Sequence, residues 1–223
     1  MVFECGRSHR GFLTAPVALS GPVPPAMGSF LTHRLGDSGA CALRSVNRLT
    51  DPINDVLDIS RIESGRIVLE KSEVRFDALL QSVIHENRPA ADQKQISLRT
   101  RGLHEPYTLK VDPAKMERIV GELISNAIKY TPEGGHVEVG LQREHNHVVL
   151  SVRDSGIGMT PEECGKIFER FYRTPASQKM AKGSGLGLSI AKELIEMHGG
   201  ELAVESEVGT GTTFTLTLPP ANT

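Results

Sequence analysis

Tryptophan is absent from this chain, and seven Phe and three Tyr supply all its aromatic rings. So few rings argue against a base-stacking surface or the aromatic belt of a membrane protein. Cysteine is nearly as scarce. Cys5, Cys41 and Cys164 are far apart, form no CxxC pair and join no Cys/His cluster. A disulfide framework and a structural zinc site are therefore not expected, and the thiols read as free in a reducing cytosol. No run approaches the ~18 apolar residues that a membrane span needs. Residues 11–21 follow Arg7 and Arg10 in the rough outline of a signal peptide, but Pro16 interrupts them and Pro22, Pro24 and Pro25 follow. Nor is there an excess of charge: 25 basic and 27 acidic residues leave a net charge of -2. That balance gives no grip on nucleic acid. The expectation is a cytoplasmic protein with no membrane span and no nucleic-acid partner.

What is present is an ordinary soluble composition, 39% hydrophobic in 223 residues, enough for one full domain and a short extra segment. Residues 1–43 are rich in Gly and Pro and lack a sustained period, so they read as irregular. From Arg44 the texture changes. Val46, Leu49, Ile53, Val56, Leu57 and Ile59 recur at helical spacing and predict a helix over 44–65, with Pro52 as a kink or start and Ser64 and Gly65 as its end. The remainder, 66–220, reads as one domain. Strands are predicted at 66–76, 96–100, 107–111, 136–143, 147–153, 201–205 and 212–218, and helices at 76–93, 113–130 and 186–197. Asp112 and Pro113 give the second of these helices a cap and a first residue. Residues 154–184 read as a long mobile loop. Interleaved helices and hairpins imply an α/β sandwich of two layers, a mixed sheet with helices on one face.

Four segments carry chemistry. On a wheel of the 113–130 helix, Met116, Val120, Leu123, Ile124, Ala127 and Ile128 form an apolar face, with Ile119 at the margin. Arg118, Glu122, Ser125, Asn126 and Lys129 fall in a narrow stripe opposite. A plain amphipathic helix would look the same. Yet this stripe also offers a neutral oxygen for a cation, a charge for phosphate and a carboxylate base. Asp154, Gly156 and Gly158 follow a strand, where a carboxylate can accept from an exocyclic amine and glycines allow close backbone approach. Gly183, Gly185 and Gly187 open the 186–197 helix, whose free N–H groups suit an anion. The position of these glycines before a helix does not fit a Rossmann turn, and the Walker pattern is absent. Gly209, Gly211 and Thr212 lead into the last strand.

In this order and spacing the four segments resemble the catalytic domain of sensor histidine kinases. Glu122, Asn126, Lys129 and Tyr130 resemble that family's N box. Asp154 to Met159 resembles the first glycine box, Ile167 to Arg173 the F box, Gly183 to Leu188 the second glycine box, and Gly209 to Phe214 the last. The resemblance covers about residues 44–218. The wider superfamily shares its Bergerat-type ATP-binding fold with gyrase-type topoisomerases, mismatch-repair ATPases and a heat-shock chaperone; the F box and box spacing favour the kinase branch.

The resemblance implies ATP and Mg as cofactors and assigns roles. Asp154 would bind the adenine amine, with Thr212 supporting that contact through water. Gly156 and Gly158 would make room for the base. Asn126 would coordinate Mg, and Glu122 would orient the nucleophile or act as base. Lys129 would contact phosphate and Tyr130 would lie beside the nucleotide. Gly183, Gly185, Leu186 and Gly187 would cradle phosphates. Phe168 and Phe171 would pin the lid, and Arg173 and Lys182 would reach phosphate.

One part is missing. The 44–65 segment resembles the second helix of the family's dimerisation hairpin, but no first-helix motif of the His-Glu-x-x-Thr-Pro kind occurs. His9 is the nearest phosphoacceptor candidate, and no acidic residue follows it. His85, His104, His136, His145, His147 and His198 read as surface or helix-end residues. The expected function is an ATP-dependent protein-histidine kinase that passes phosphate to a response-regulator receiver domain and dimerises through the helical hairpin. The alternatives are a nucleotide-binding regulatory module without phosphotransfer and a non-kinase ATPase of the same fold.

Overall fold

A computed structural model describes residues 55–62 and 64–220. The chain divides after Arg48 into two units, and the described residues all belong to the second, Leu49–Thr223. The expectations for residues 1–43, His9 among them, and for the first part of the 44–65 helix lie outside the described residues.

The order of elements is α1 (55–62), β1 (Ser72–Arg75), α2 (Phe76–Gln93), β2 (Ser97–Arg101), β3 (Thr108–Val111), α3 (Pro113–Tyr130), β4 (His136–Glu144), β5 (His147–Asp154), α4 (Pro161–Lys166), α5 (Pro175–Met180), α6 (Gly187–Met197), β6 (Glu201–Glu207) and β7 (Gly211–Leu218). Five strands form one sheet in the order β2-β4-β5-β7-β6. The β2–β4 pair is parallel and the others are antiparallel, so the sheet is mixed as expected. The strands alternate. Val137, Val139, Leu141, Leu150, Val152, Leu216 and Leu218 turn inward and are at most 2% exposed, while their neighbours turn outward. Helices α2, α3 and α6 cover that inward face, which makes two layers around one core. Each large aliphatic side chain so buried contributes roughly 1.5–3 kcal/mol.

Two elements depart from the sequence reading. The strand expected at 66–76 shrinks to β1, because its only register is with the four residues of β3, Ser72 opposite Val111 through Arg75 opposite Thr108. The long loop at 154–184 contains two short helices. Each begins with the same local device, a threonine cap followed by proline. Thr160 Oγ1 accepts from the Glu163 N–H at 3.2 Å, and the Glu163 carboxylate accepts from the Thr160 N–H at 2.8 Å. Thr174 Oγ1 accepts from the Ser177 N–H at 3.1 Å. Among the described residues, no helix is long and apolar enough to cross a membrane.

Helix α3 is covered on two sides. Its apolar face lies on the sheet and α2, and Ile119, expected at the margin, is 1% exposed because Ile190, Ala191 and Leu194 of α6 pack over it.

His198 sits at the end of α6, as expected, and is buried there. Its Nδ1 donates to the Leu194 carbonyl at 2.7 Å and its Nε2 accepts from the Asp112 N–H at 3.0 Å. Only the neutral ring can do both. Burial and the nearby Lys71 lower its pKa below the ordinary 6.5, against the Leu194 carbonyl and Asp112. A depressed pKa makes this stabilisation complete above the unfolded value and lost as pH falls through the folded value. The unfolding free energy of the wild type, from urea titrations, should therefore fall between about pH 7.5 and 5.5 more steeply than that of His198→Asn, which should start lower by about 1–3 kcal/mol. Parallel pH slopes in the two proteins would refute this assignment.

Candidate functional site

A cavity of about 210 Å³ opens between α3, the end of β5, the 155–187 segment and the start of β7. Of the residues singled out in the sequence, Glu122, Asn126, Lys129, Tyr130, Asp154, Gly158, Arg173, Gly183, Gly185, Gly187 and Thr212 line it. Gly156, Phe168, Lys182 and Leu186 do not.

One end is built around Asp154, which is 5% exposed at the end of β5. Its Oδ1 accepts from the Gly156 N–H at 2.7 Å and the Thr212 N–H at 3.2 Å. Both bonds fall on Oδ1, which leaves Oδ2 free to accept. Burial raises the Asp154 carboxyl above its ordinary value, and the two N–H donors oppose that shift. Thr212 Oγ1 lies 2.9 Å from Ser206 Oγ. Ser206 has one proton, which it gives to the Gly211 carbonyl at 2.9 Å, and it accepts from the Met159 N–H at 2.9 Å. Thr212 must then donate to Ser206, which leaves its lone pairs for a donor in the cavity. An amine facing Asp154 and Thr212 would meet two acceptors.

The other end is built on α3. Asn126 Nδ2 donates to Glu122 Oε1 at 2.8 Å, one helical turn away. That bond uses the amide N–H of Asn126 and leaves its oxygen free to accept or to coordinate. Glu122 is raised in pKa chiefly by burial, and by Asp55, against Asn126, Lys129 and Arg118. Its carboxylate occupies the space of the side chain that Gly187 lacks: a Cβ there would lie 2.1 Å from Oε1. The start of α6 thus already faces one carboxylate. Lys129 Nζ stands 5.1 Å from the centre of the Tyr130 ring, and Gly183 lies beside it.

Several of these residues have partners within the protein itself. A Cβ on Gly158 would lie 1.9 Å from the Glu207 carbonyl, and one on Gly156 2.6 Å from the Tyr130 carbonyl. The missing side chains there admit the protein's own backbone. Arg173 lines the cavity, but its guanidinium is spent on the lid: Nη1 donates to the Gly183 carbonyl at 3.3 Å and Nη2 to the carbonyls of Ser177, at 3.0 Å, and Ala181. Lys182 is exposed. Phe168 packs edge-on against Phe214, centroids 6.4 Å apart, behind the cavity wall, and Lys192 covers its ring. Phe171 is 68% exposed at φ +63°, so its ring pins nothing; its N–H instead holds the Gly185 carbonyl at 2.9 Å.

Sequence reasoning missed Asp55. On α1, it accepts from Arg118 of α3 at 2.7 Å and from the Ser184 hydroxyl at 3.0 Å, and it lines the cavity. Arg118 also pairs with Asp58. No local signal marks a contact that spans 129 residues.

Residues 111–222 match the family described as histidine kinase-, DNA gyrase B-, and HSP90-like ATPase. The chain belongs to that family. Its relatives place the ATPase domain in the histidine-kinase branch. The chain is 36% identical to the sensor-like histidine kinase SenX3 of Mycobacterium tuberculosis over 180 residues, which cover 79% of this chain and 43% of SenX3. The full-length ShkA crystal structure, in complex with AMPPNP, superposes with a TM-score of 0.71 at 30% identity over 84% of this chain and 39% of ShkA. The catalytic domain of the histidine kinase ThkA superposes with a TM-score of 0.60 at 27% identity, over 67% of this chain and 95% of that domain. The described fold is thus the ATP-binding catalytic domain of histidine kinases, and the chain spans less than half the length of SenX3 or ShkA.

The Glu122–Gly187 contact in this ATPase domain can be tested directly. Gly187→Ala should weaken binding of a non-hydrolysable ATP analogue about tenfold, and only about twofold in a Glu122→Ala background, because the clash partner is then gone. Equal losses in both backgrounds, measured by titration calorimetry, would show that the two positions are independent.

Proposed function

We propose that the chain uses its cavity to bind Mg-ATP and to transfer the γ-phosphate to a histidine, for relay to a response-regulator aspartate. The observation that carries this reading is the distribution of chemistry along one cavity: a buried carboxylate with two backbone donors at one end, and an acid, an amide and a lysine on successive turns of α3 at the other. The first suits adenine and the second suits a triphosphate. The names of the curated relatives support the same activity.

Mg fits the residues present. Among the described residues no cluster of three or more His, Cys, Asp or Glu could hold a metal. The ion would therefore take the Asn126 amide oxygen and find its other ligands on phosphates and water, as Mg commonly does. Bound there, it would neutralise charge on the phosphates. The protein's own part is positioning. Asp154 and Thr212 would hold the base, Lys129 would offset phosphate charge, and Glu122 would orient the imidazole or take its proton. A carboxyl raised by burial suits the latter task. As the histidine nitrogen bonds to the γ-phosphorus, the bond to the ADP oxygen breaks and ADP leaves.

The acceptor would sit on a dimerisation hairpin to which α1 belongs, in the same chain or a partner, and the protein would work in the cytoplasm. Glu122 and Asn126, side by side, favour this over a purely regulatory nucleotide module. The test uses the full chain with γ-labelled ATP and Mg, alone and with a separate acceptor hairpin. Asn126→Ala should reduce transfer at least about a hundredfold and Asp154→Asn should abolish nucleotide binding. Binding of ATP with no transfer to either acceptor would assign the regulatory role instead.

A further inference from the structure

Lys94 lies just past the end of α2, outside the cavity, and its ammonium points at the end of α3. Nζ donates to the carbonyls of Ile128 at 2.8 Å, Lys129 at 3.0 Å and Thr131 at 2.6 Å. These carbonyls belong to the C-terminal turn of α3, where a helix runs out of intrahelical donors. The remaining acceptors are matched as well. The Tyr130 carbonyl takes the Ile157 N–H at 3.3 Å, and the Ala127 carbonyl takes both the N–H and the hydroxyl of Thr131, at 3.1 and 2.7 Å. Every carbonyl from 127 to 131 therefore has a donor, and Lys94 alone supplies three of them.

That turn also lines the cavity, between the Glu122–Asn126 pair and the loop after β5. Asn126, Lys129 and Tyr130 line it from the last five residues of α3. Two consequences follow from one ammonium. The turn cannot fray, so the Lys129 side chain and the Asn126 amide keep their direction. The partial negative charge at the C-terminus of α3, which would oppose a triphosphate, is offset by a cation bound to its carbonyls. We propose that Lys94 is a positioning residue for the phosphate groups of the nucleotide, acting through the backbone of α3 without touching the ligand. The inference rests on reading this cavity as the Mg-ATP site. Three divergent N–H donors on a point charge fit three converging carbonyls; the planar fork of arginine does not.

The experiment separates phosphate from base. In the full chain, affinities for Mg-AMPPNP and for adenosine are compared in wild type, Lys94→Met and Lys94→Arg. Lys94→Met should weaken AMPPNP about tenfold or more and adenosine less than about twofold, since adenosine carries no phosphate charge and Asp154 is held by the Gly156 and Thr212 N–H groups, which Lys94 does not touch. Lys94→Arg, which keeps the charge but loses the fit, should fall between, and it carries the comparison if Lys94→Met gives no cooperative melt. Equal weakening of both ligands would reduce Lys94 to a general stabiliser and overturn the proposal. Unchanged AMPPNP affinity would overturn it too. A wild type that binds adenosine but not AMPPNP would instead refute the triphosphate reading on which it rests.

Discussion

Helix α3 has to be buried and displayed at once, and the rest of the domain is arranged around that constraint. Met116, Val120, Leu123, Ile124 and Ala127 are at most 1% exposed, so the helix cannot rotate without opening the core. Because side chains recur every 3.6 residues, fixing that face also fixes the opposite stripe. Glu122, Asn126 and Lys129 face the cavity for the same reason that their apolar neighbours face the sheet. The core is therefore what gives the site its geometry.

The glycine-rich segments serve that arrangement through backbone packing. Gly158 lets the loop after β5 meet the Glu207 carbonyl, and Gly187 leaves space for the Glu122 carboxylate. Both are close approaches between elements distant in sequence. They draw the loop, the last hairpin and the start of α6 against α3, and the cavity is the space left between them. Asp55 extends this set to α1 by accepting from both Arg118 and Ser184. A change in α1 is thereby one hydrogen bond away from the second glycine segment.

Much of this was legible in the chain itself. The bounds of α3 agree to the residue, because Asp112, Pro113 and Pro132 mark them chemically. The mixed sheet followed from strands interleaved with helices on the one hand and joined in hairpins on the other. The residues expected at the two ends of the cavity, Asp154 and Thr212 at one and Glu122, Asn126 and Lys129 at the other, do meet there. Less legible were α4 and α5, whose threonine-proline starts are plain in retrospect but whose six residues carry no apolar period.

Sequence by itself determined which face of each element is apolar, where the capped helices begin, and which side chains could serve a nucleotide, because periodicity and capping are local properties. Tertiary structure alone decided what those side chains do. It tied Arg173 to the lid carbonyls, left Phe171 in solvent, buried His198 as a neutral acceptor, and brought Asp55 and Lys94 to the two ends of α3. The last three depend on polar partners tens of residues away, Asp112 for His198, Arg118 for Asp55 and the end of α3 for Lys94. A hydrogen bond across that distance leaves no period in the sequence; it exists only once the packed core has fixed both partners in space.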